Sequence, residues 1–134
     1  MGRTRFSIAT FNTRNLVNAE TNYYQRPDGS WNRYSRAAFD RKVDWLAGQL
    51  LRMDADHVCL QEVFHLEALQ AVADRHARLV AEMGLTQQPY SSVLHFANKD
   101  TRPDDPSPGL GYLGRKAPIS HRVLQDLSAD PIEL

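Results

Sequence analysis

Two oxygen-bearing side chains follow two short, mostly apolar segments of the sequence. Asn12 follows residues 5–11, RFSIATF, and Glu62 follows residues 57–61, HVCLQ. Both segments mix β-branched, aromatic and small residues without helical spacing, which predicts strands that end at Asn12 and Glu62. An amide oxygen beside a carboxylate suits a hard cation such as Mg²⁺, which often takes one or two protein carboxylates and fills its remaining positions with water and phosphate oxygens.

A helix between these strands would bring the two side chains together. Ser35 is a suitable N-cap for a helix that runs to about Met53. One apolar stripe marks its buried face, formed by Phe39, Val43, Leu46, Leu50 and Met53. A strand, a crossover helix and a second strand form a βαβ unit, whose strands are parallel. Asn12 and Glu62 should therefore lie side by side at the carboxyl edge of the sheet, where open α/β sheets build their sites.

The rest of the chain predicts further helix and sheet. A second helix is expected over about residues 65–83, with His76 on its apolar face and Gly84 as its C-terminal cap. Residues 14–35 and 98–108 are expected to be loops, because turn-forming residues dominate them. Further strands are predicted at residues 90–97, 110–115 and 119–127. The expected fold class is α/β, with a mixed β-sheet and the helices on one face.

The composition is that of one globular domain spanning residues 1–134. Apolar residues make up 42% of the chain and charged residues 24%, and the formal net charge is zero. No apolar run is long enough to span a membrane and no signal-peptide pattern follows the N-terminus, so the expected location is the cytoplasm. The single cysteine, Cys59, excludes an internal disulfide framework, and its expected burial in mid-strand argues against a nucleophilic role.

The zero net charge hides an uneven distribution along the chain. Residues 1–52 contain nine Lys or Arg and four Asp or Glu, a net of +5, whereas residues 53–134 contain seven and twelve, a net of −5. Arginine near aromatic residues is suited to binding phosphate groups or stacked bases. The candidate substrate-binding residues in the basic, aromatic segment are Arg14, Arg26 and Arg33. Local packing of its aromatic residues in a surface loop is the alternative interpretation.

Several stretches of the sequence resemble one protein family. Residues 8–12 (IATFN), Trp45-Leu46 and residues 54–63 (DADHVCLQEV) resemble the opening of the endonuclease/exonuclease/phosphatase superfamily, the DNase I-like proteins. In that family a first strand ends in Asn, a helix follows, and a second strand reads aDvvgLQEv. Residues 111–119 (GYLGRKAPI) resemble more weakly its G-x-a-l-l-S-R-x-P-I segment, with Arg115 where serine is usual.

This resemblance implies a fold, a cofactor and two site residues. The fold would be half of a two-sheet DNase I-like α/β sandwich, with residues 1–134 as its N-terminal part. Glu62 would bind the catalytic Mg²⁺, for which Mn²⁺ or Ca²⁺ could substitute, and Asn12 would be an accessory ligand or phosphate contact. The family's Asp-x-Asn segment is absent from the sequence. Its late Asp-His pair is matched only by Asp56-His57, which precedes the second strand and should lie at the opposite edge of the sheet.

The functional hypothesis is metal-dependent hydrolysis of a phosphodiester or phosphomonoester in a longer parent, with the isolated chain inactive or nearly so. The substrate class stays open among nucleic acid, a lipid head group and a small phosphate ester. One sheet face should be apolar and exposed unless the rest of a parent, a second copy of the chain or a swapped assembly covers it. The alternatives are a noncatalytic binding or assembly module, and a fragment that binds nucleic acid through residues 14–36.

Overall fold

The computed structural model describes residues 5–122 of the chain. In chain order the elements of this range are β1 (Ile8–Leu16), β2 (Asn22–Gln25), β3 (Trp31–Arg33), α1 (Arg36–Met53), β4 (His57–Val63), α2 (Leu66–Glu82), β5 (Ser92–Phe96) and β6 (Gly109–Gly114). Strands β1, β4, β6 and β5 form one sheet in that spatial order, and β2 and β3 form a separate antiparallel hairpin. Strand β1 runs parallel to β4, whereas β6 is antiparallel to both of its neighbours. The α/β class with a mixed sheet is therefore confirmed.

Helix α1 makes the crossover between the parallel strands β1 and β4, as the sequence predicts. Ser35 is its N-cap, and the Ser35 hydroxyl oxygen accepts a hydrogen bond from the Ala38 amide nitrogen at 3.1 Å. The predicted stripe is buried at four of its five positions, Phe39, Val43, Leu46 and Leu50. No helix in the described range combines the length and the apolar character that a membrane span requires.

Helix α2 buries a histidine completely in its apolar face. The His76 side chain has no solvent exposure, and its ring lies 4.9 Å from the ring centre of Tyr90. One ring nitrogen, Nε2, is 3.4 Å from the side-chain oxygen of Gln87, while Nδ1 has no hydrogen-bond partner among residues 5–122. The position of His76 in the core is as predicted, and Gly84 follows the helix with a φ of 62°.

The two helices pack on one face of the sheet, and within residues 5–122 no helix or strand covers the other face. The core on the helix side includes residues from β4, α1 and α2, such as Leu60, Leu46 and Leu69. On the opposite face Ile8 and Leu110 are 66% and 55% exposed. A cavity of about 310 Å³ also opens there, lined by apolar side chains including Leu94, Phe96, Leu110 and Tyr112. The expectation of an exposed apolar sheet face agrees with this arrangement.

Four expectations about local structure are wrong. Cys59 is exposed, because it lies on the uncovered face of β4 instead of the helix side. Strand β1 continues past Asn12 to Leu16, and β4 continues past Glu62 to Val63. Residues 14–35 are not an irregular loop, because they include the end of β1 and the β2–β3 hairpin. Of the predicted strand 119–127, residues 119–122 are not in a strand, and residues 123–127 lie outside the described range.

The buried His76 should make the fold sensitive to acid. Burial lowers the pKa of His76 from its ordinary value of 6.5, and the hydrogen bond with Gln87 acts in the opposite direction. Below about pH 6.5 the unfolded chain therefore binds a proton that the folded chain resists, so the free energy of unfolding should fall as the pH falls. His76→Leu should show a weaker fall between about pH 7.5 and pH 5, measured by urea denaturation at each pH. An equally steep fall in His76→Leu would contradict this role.

Candidate functional site

Asn12 and Glu62 are in direct contact at the carboxyl end of the β1–β4 pair. The Asn12 side-chain nitrogen Nδ2 donates a hydrogen bond to Oε1 of Glu62 at 2.9 Å. The contact follows from the parallel register, in which Asn12 pairs with Gln61, the residue before Glu62. Sequence reasoning therefore placed these two side chains correctly relative to each other, although neither strand ends at its residue.

Glu62 lies at a β-bulge that changes the direction of its side chain. Gln61 and Val63 pair with the adjacent residues Leu110 and Gly109 of β6, so Glu62 is an extra residue in β4. Its φ of 58° is in the left-handed region, which non-glycine residues seldom adopt. A Cβ atom on Gly109 would lie 3.1 Å from the Val63 carbonyl oxygen, so glycine lets β6 approach the bulge. Bulges of this kind redirect a side chain and are frequent beside active sites.

The end of β1 contains a second irregularity, which supplies the other hydrogen bond to the Glu62 carboxylate. Between the pairs Asn12–Gln61 and Leu16–Val63, β1 has two more residues than β4. Arg14 and Asn15 adopt left-handed φ angles of 53° and 64°. The Asn15 amide nitrogen donates to Oε2 of Glu62 at 3.0 Å, and the Arg14 amide nitrogen donates to Oδ1 of Asn12 at 2.8 Å. Both carboxylate oxygens of Glu62 are therefore held by β1.

Thr13 supports the two bulges from the buried side of the sheet. Its side chain is 2% exposed, and its hydroxyl lies 2.9 Å from the carbonyl oxygens of both Gln61 and Glu62. The single hydroxyl proton is shared between these two acceptors. This contact supplies a hydrogen-bond partner to backbone groups that the bulge removes from regular strand pairing.

Lys42 and Tyr34 contact the site from outside the sheet. The Lys42 nitrogen Nζ donates to the Arg14 carbonyl oxygen at 2.6 Å and lies 5.4 Å from the centre of the Tyr34 ring. The Tyr34 hydroxyl is 3.5 Å from the same carbonyl oxygen. Burial lowers the pKa of Lys42, the charge of Arg14 adds to that effect, and the Glu62 carboxylate opposes it. The Lys42 ammonium group is therefore within electrostatic range of Glu62.

Aromatic residues of the hairpin pack beside the site. Tyr23 stacks on Tyr34 with ring centres 5.5 Å apart, and Tyr24 packs edge-on against Phe64 at 5.6 Å. This is the local packing that the sequence left as an alternative. Tyr24 is 44% exposed, and its pKa is raised by burial and then by the Glu62 carboxylate. The raised pKa keeps the Tyr24 hydroxyl protonated at neutral pH.

The three candidate arginines occupy different positions. Arg14 is exposed and lies two residues after Asn12, at the edge of the site. Arg26 donates to the side-chain oxygen of Asn32 at 3.2 and 2.9 Å. Arg33 is 3.5 Å from the side-chain oxygen of Asn22. The guanidinium groups of Arg26 and Arg33 thus make hydrogen bonds within the hairpin, and of the three candidates Arg14 is the one attached to the turn that holds Glu62.

The donor set around Glu62 fits a magnesium ion with a mostly aqueous shell. Each Glu62 oxygen accepts one hydrogen bond, and a carboxylate has about four acceptor positions, so both oxygens can still contact a cation. Residues 5–122 contain no group of three or more His, Cys, Asp or Glu suited to holding a metal. Magnesium is compatible with a single protein carboxylate when water and phosphate oxygens complete its octahedron.

The Asp56-His57 pair lies at the opposite end of β4 from Glu62, as the sequence predicts. Oδ2 of Asp56 accepts from the Ser7 amide nitrogen at 2.8 Å, and the Arg115 guanidinium contacts Oδ1 at 3.2 Å. His57 Nδ1 lies 2.7 Å from the Tyr112 hydroxyl. Arg115 also binds Asp54 at 2.5 Å, so it fastens the start of β4. These contacts give the pair a structural role.

Sequence reasoning missed three residues that build the site. Thr13 lies between the predicted strand and the predicted loop 14–35, Asn15 lies in that loop, and Lys42 was treated only as part of a helix. The one local signal was Asn15, since asparagine tolerates the left-handed region better than most residues. Lys42 carries no such signal, because its contact with the Arg14 carbonyl depends on how α1 packs beside β1.

The left-handed backbone conformation of Asn15 can be tested by comparing the stabilities of two variants. Glycine accepts a φ of 64° freely, whereas alanine is strained there. Asn15→Ala should therefore be less stable than Asn15→Gly by about 1 kcal/mol in urea denaturation. Thr10 is the control, because it is an exposed β1 residue whose φ is not left-handed. There the order of stability should reverse, with Thr10→Gly less stable than Thr10→Ala. An alanine variant at Asn15 as stable as the glycine variant would contradict the described turn.

Comparison of the chain with protein-family models, with curated proteins and with solved structures finds no match in any of the three.

Proposed function

We propose that Glu62 binds Mg²⁺ in a phosphoester hydrolase similar to the endonuclease/exonuclease/phosphatase proteins, acting on phosphodiester or phosphomonoester bonds. The observation that supports the proposal is that both oxygens of the Glu62 carboxylate accept hydrogen bonds from β1. One oxygen accepts from Asn12 and the other from the Asn15 amide nitrogen, at 2.9 and 3.0 Å. Hydrogen bonds to both oxygens fix the direction of this carboxylate at the end of the parallel strands, as a metal ligand requires.

The backbone conformation adds support to this proposal. Glu62, Arg14 and Asn15 all adopt left-handed φ angles, and each such residue costs on the order of 1 kcal/mol. Strained residues cluster where function over-determines the local structure. Three of the six non-glycine residues with left-handed φ angles in residues 5–122 are Glu62 itself and the two β1 residues beside it, a pattern that suits a preorganised ligand site.

Each residue of the site has its own role in the proposed reaction. Glu62 holds the cation, and Asn12 orients Glu62 through its amide nitrogen. Arg14 is exposed at the same edge and is suited to binding a phosphate oxygen by its planar guanidinium group. Tyr24 offers a protonated hydroxyl as a further hydrogen-bond donor. A bound magnesium ion would polarise the phosphoryl group and stabilise negative charge on the leaving oxygen.

Metal binding at Glu62 is the decisive test of this function. With Mn²⁺ as the probe, detected by electron paramagnetic resonance, Glu62→Gln should raise the Kd by about tenfold or more, because the neutral amide removes the anionic ligand. Mg²⁺ should compete with Mn²⁺ for the wild-type site. Any Mg²⁺-dependent hydrolysis of bis(4-nitrophenyl) phosphate should disappear in the same variant.

Glu82→Gln is the matched control for this measurement. Glu82 is a 61% exposed carboxylate at the end of α2, 3.7 Å from Arg75, and takes no part in the site. Its substitution should leave the Mn²⁺ affinity unchanged. An unchanged Mn²⁺ affinity in Glu62→Gln would refute the proposed metal site.

A second candidate function is a noncatalytic binding or assembly module. The exposed sheet face favours it, because Ile8 and Leu110 expose large apolar side chains there and Leu110 also lines an apolar cavity. Apolar patches of this kind mark interaction surfaces in soluble proteins. A second copy of the chain, packed face to face, would remove both side chains from water. This function requires no metal at Glu62, so Mn²⁺ binding discriminates between the two candidates.

Self-association through the uncovered face can be tested by charge insertion. If two copies pack through this face, analytical ultracentrifugation should show a dimer whose population rises with concentration. Leu110→Lys should make the chain monomeric, because a lysine would be buried at the centre of the interface. Met83→Lys is the control, since Met83 is 60% exposed at the end of α2 and away from the sheet face. A wild-type chain that stays monomeric at all concentrations would contradict the assembly function.

A further inference from the structure

Lys42 lies in an unusual place for a lysine. It is half-buried on α1, whereas its neighbour Arg41 on the same helix is exposed. Lysine is seldom buried unless its charge has a partner. The partner here is a backbone carbonyl, the Arg14 oxygen, at 2.6 Å from Nζ. The Tyr34 ring lies 5.4 Å from the same ammonium group, which adds a cation–π contact.

The carbonyl that Lys42 binds belongs to the peptide unit that holds Glu62. The Arg14 carbonyl and the Asn15 N–H are parts of one rigid, planar peptide group, and they point in opposite directions. The oxygen accepts from Lys42, and the N–H donates to Oε2 of Glu62 at 3.0 Å. Fixing the oxygen on one side therefore fixes the direction of the N–H on the other.

Electrostatics favours the same orientation of this peptide. Its negative end faces the Lys42 cation and its positive end faces the Glu62 anion. Hydrogen bonds in such a chain polarise one another, so each strengthens the next. A rotated peptide would turn the Arg14 carbonyl oxygen towards the carboxylate and repel it. The left-handed φ angles of Arg14 and Asn15 are the conformation that this orientation needs.

We propose that Lys42 is a positioning residue that fixes the Glu62 carboxylate through the Arg14–Asn15 peptide. The inference rests on the proposed function, since it assigns Lys42 to the same metal site. Lys42 makes its hydrogen bond to the backbone and leaves both Glu62 oxygens to Asn12, to Asn15 and to the cation. It therefore orients the ligand without neutralising it.

A purely structural contact between α1 and β1 is the competing explanation. That contact would lower the free energy of unfolding when lost, and would leave metal affinity unchanged in the molecules that stay folded. A positioning role would lower metal affinity in the folded protein. The two roles are separated by measuring the Mn²⁺ affinity and the urea stability of the same variants.

The first experiment measures the Kd for Mn²⁺ in the full 134-residue chain. Lys42→Met keeps the aliphatic packing and removes the ammonium group, so the Kd should rise about tenfold, as for other groups that orient a metal ligand. Lys42→Arg should restore an affinity within about threefold of wild type, because it returns a cationic donor. Arg41→Met removes the same charge from the same helix and should bind Mn²⁺ as the wild type does.

The second experiment follows the Asn15 amide by ¹H–¹⁵N NMR without metal. An amide proton donated to a carboxylate should lose its downfield shift and its protection from hydrogen exchange when the peptide is released. Lys42→Met and Glu62→Gln should both produce this change, and Arg41→Met should not. If Lys42→Met does not fold, Lys42→Gln replaces it, since its amide nitrogen is uncharged and one bond closer to the backbone than the lysine nitrogen, which weakens the contact with the Arg14 oxygen.

The outcomes separate this inference from the proposed function. Wild-type Mn²⁺ affinity and an unchanged Asn15 amide in the folded Lys42 variants would overturn the positioning role, even if Glu62→Gln abolishes metal binding. An Mn²⁺ affinity that does not depend on Glu62 would overturn the metal site, whatever the Asn15 amide does. Weaker Mn²⁺ binding in Lys42→Met, restored in Lys42→Arg and accompanied by the Asn15 change, supports both.

Discussion

The parallel pairing of β1 with β4 is the constraint on which the candidate site depends. Parallel strands bring the residues near their carboxyl ends to one edge of the sheet, and here that edge joins Asn12 to Glu62. Regular pairing alone would not hold both oxygens of one carboxylate. The extra residues in β1 and the bulge at Glu62 depart from regular pairing, and they turn the Asn15 N–H and the carboxylate towards each other.

The strained backbone at this edge is stabilised by what immediately follows it. Leu16 and Val17 after the β1 irregularity have no solvent exposure, and neither does Val63 after the β4 bulge. These side chains fix the ends of both irregular segments, because releasing them would expose apolar surface that is worth roughly 1.5–3 kcal/mol per side chain. Thr13 is the polar counterpart, since its buried hydroxyl satisfies the carbonyls of Gln61 and Glu62. Core packing thus holds a local conformation that its own residues disfavour.

The two faces of the sheet have different physical roles. Helices α1 and α2 bury one face, and the contact of Lys42 with the Arg14 carbonyl extends that packing to the edge where Glu62 lies. The opposite face keeps Ile8, Leu110 and the exposed Cys59 outside the core. Asn12 lies on the same side of β1 as Ile8, and Gln61, the residue before Glu62, lines the cavity on this face, so the candidate site adjoins the exposed apolar surface.

Elements whose signals are local could be predicted from residue type and spacing. The apolar stripe and the Ser35 cap predicted α1, the burial of His76 followed from helical spacing, and the βαβ order predicted that Asn12 and Glu62 would meet. The first two features depend on periodicity and on residue type within a few positions of each other. The third depends on the order of the local elements, because a strand, a crossover helix and a strand make a parallel pair whose carboxyl ends lie together. The same reasoning placed Asp56-His57 at the opposite end of β4, because position along a strand can be counted from the sequence.

Tertiary structure decided the rest, because it depends on contacts between residues far apart in the chain. The exposure of Cys59 depends on which face of β4 the helices cover, and period-two alternation does not specify that choice in a short apolar strand. The left-handed turn at Arg14 and Asn15 exists because Glu62, Lys42 and the buried residues of both strands hold it in place. Lys42 shows the reason most clearly, since its contact with Arg14 arises only when α1 packs beside the end of β1.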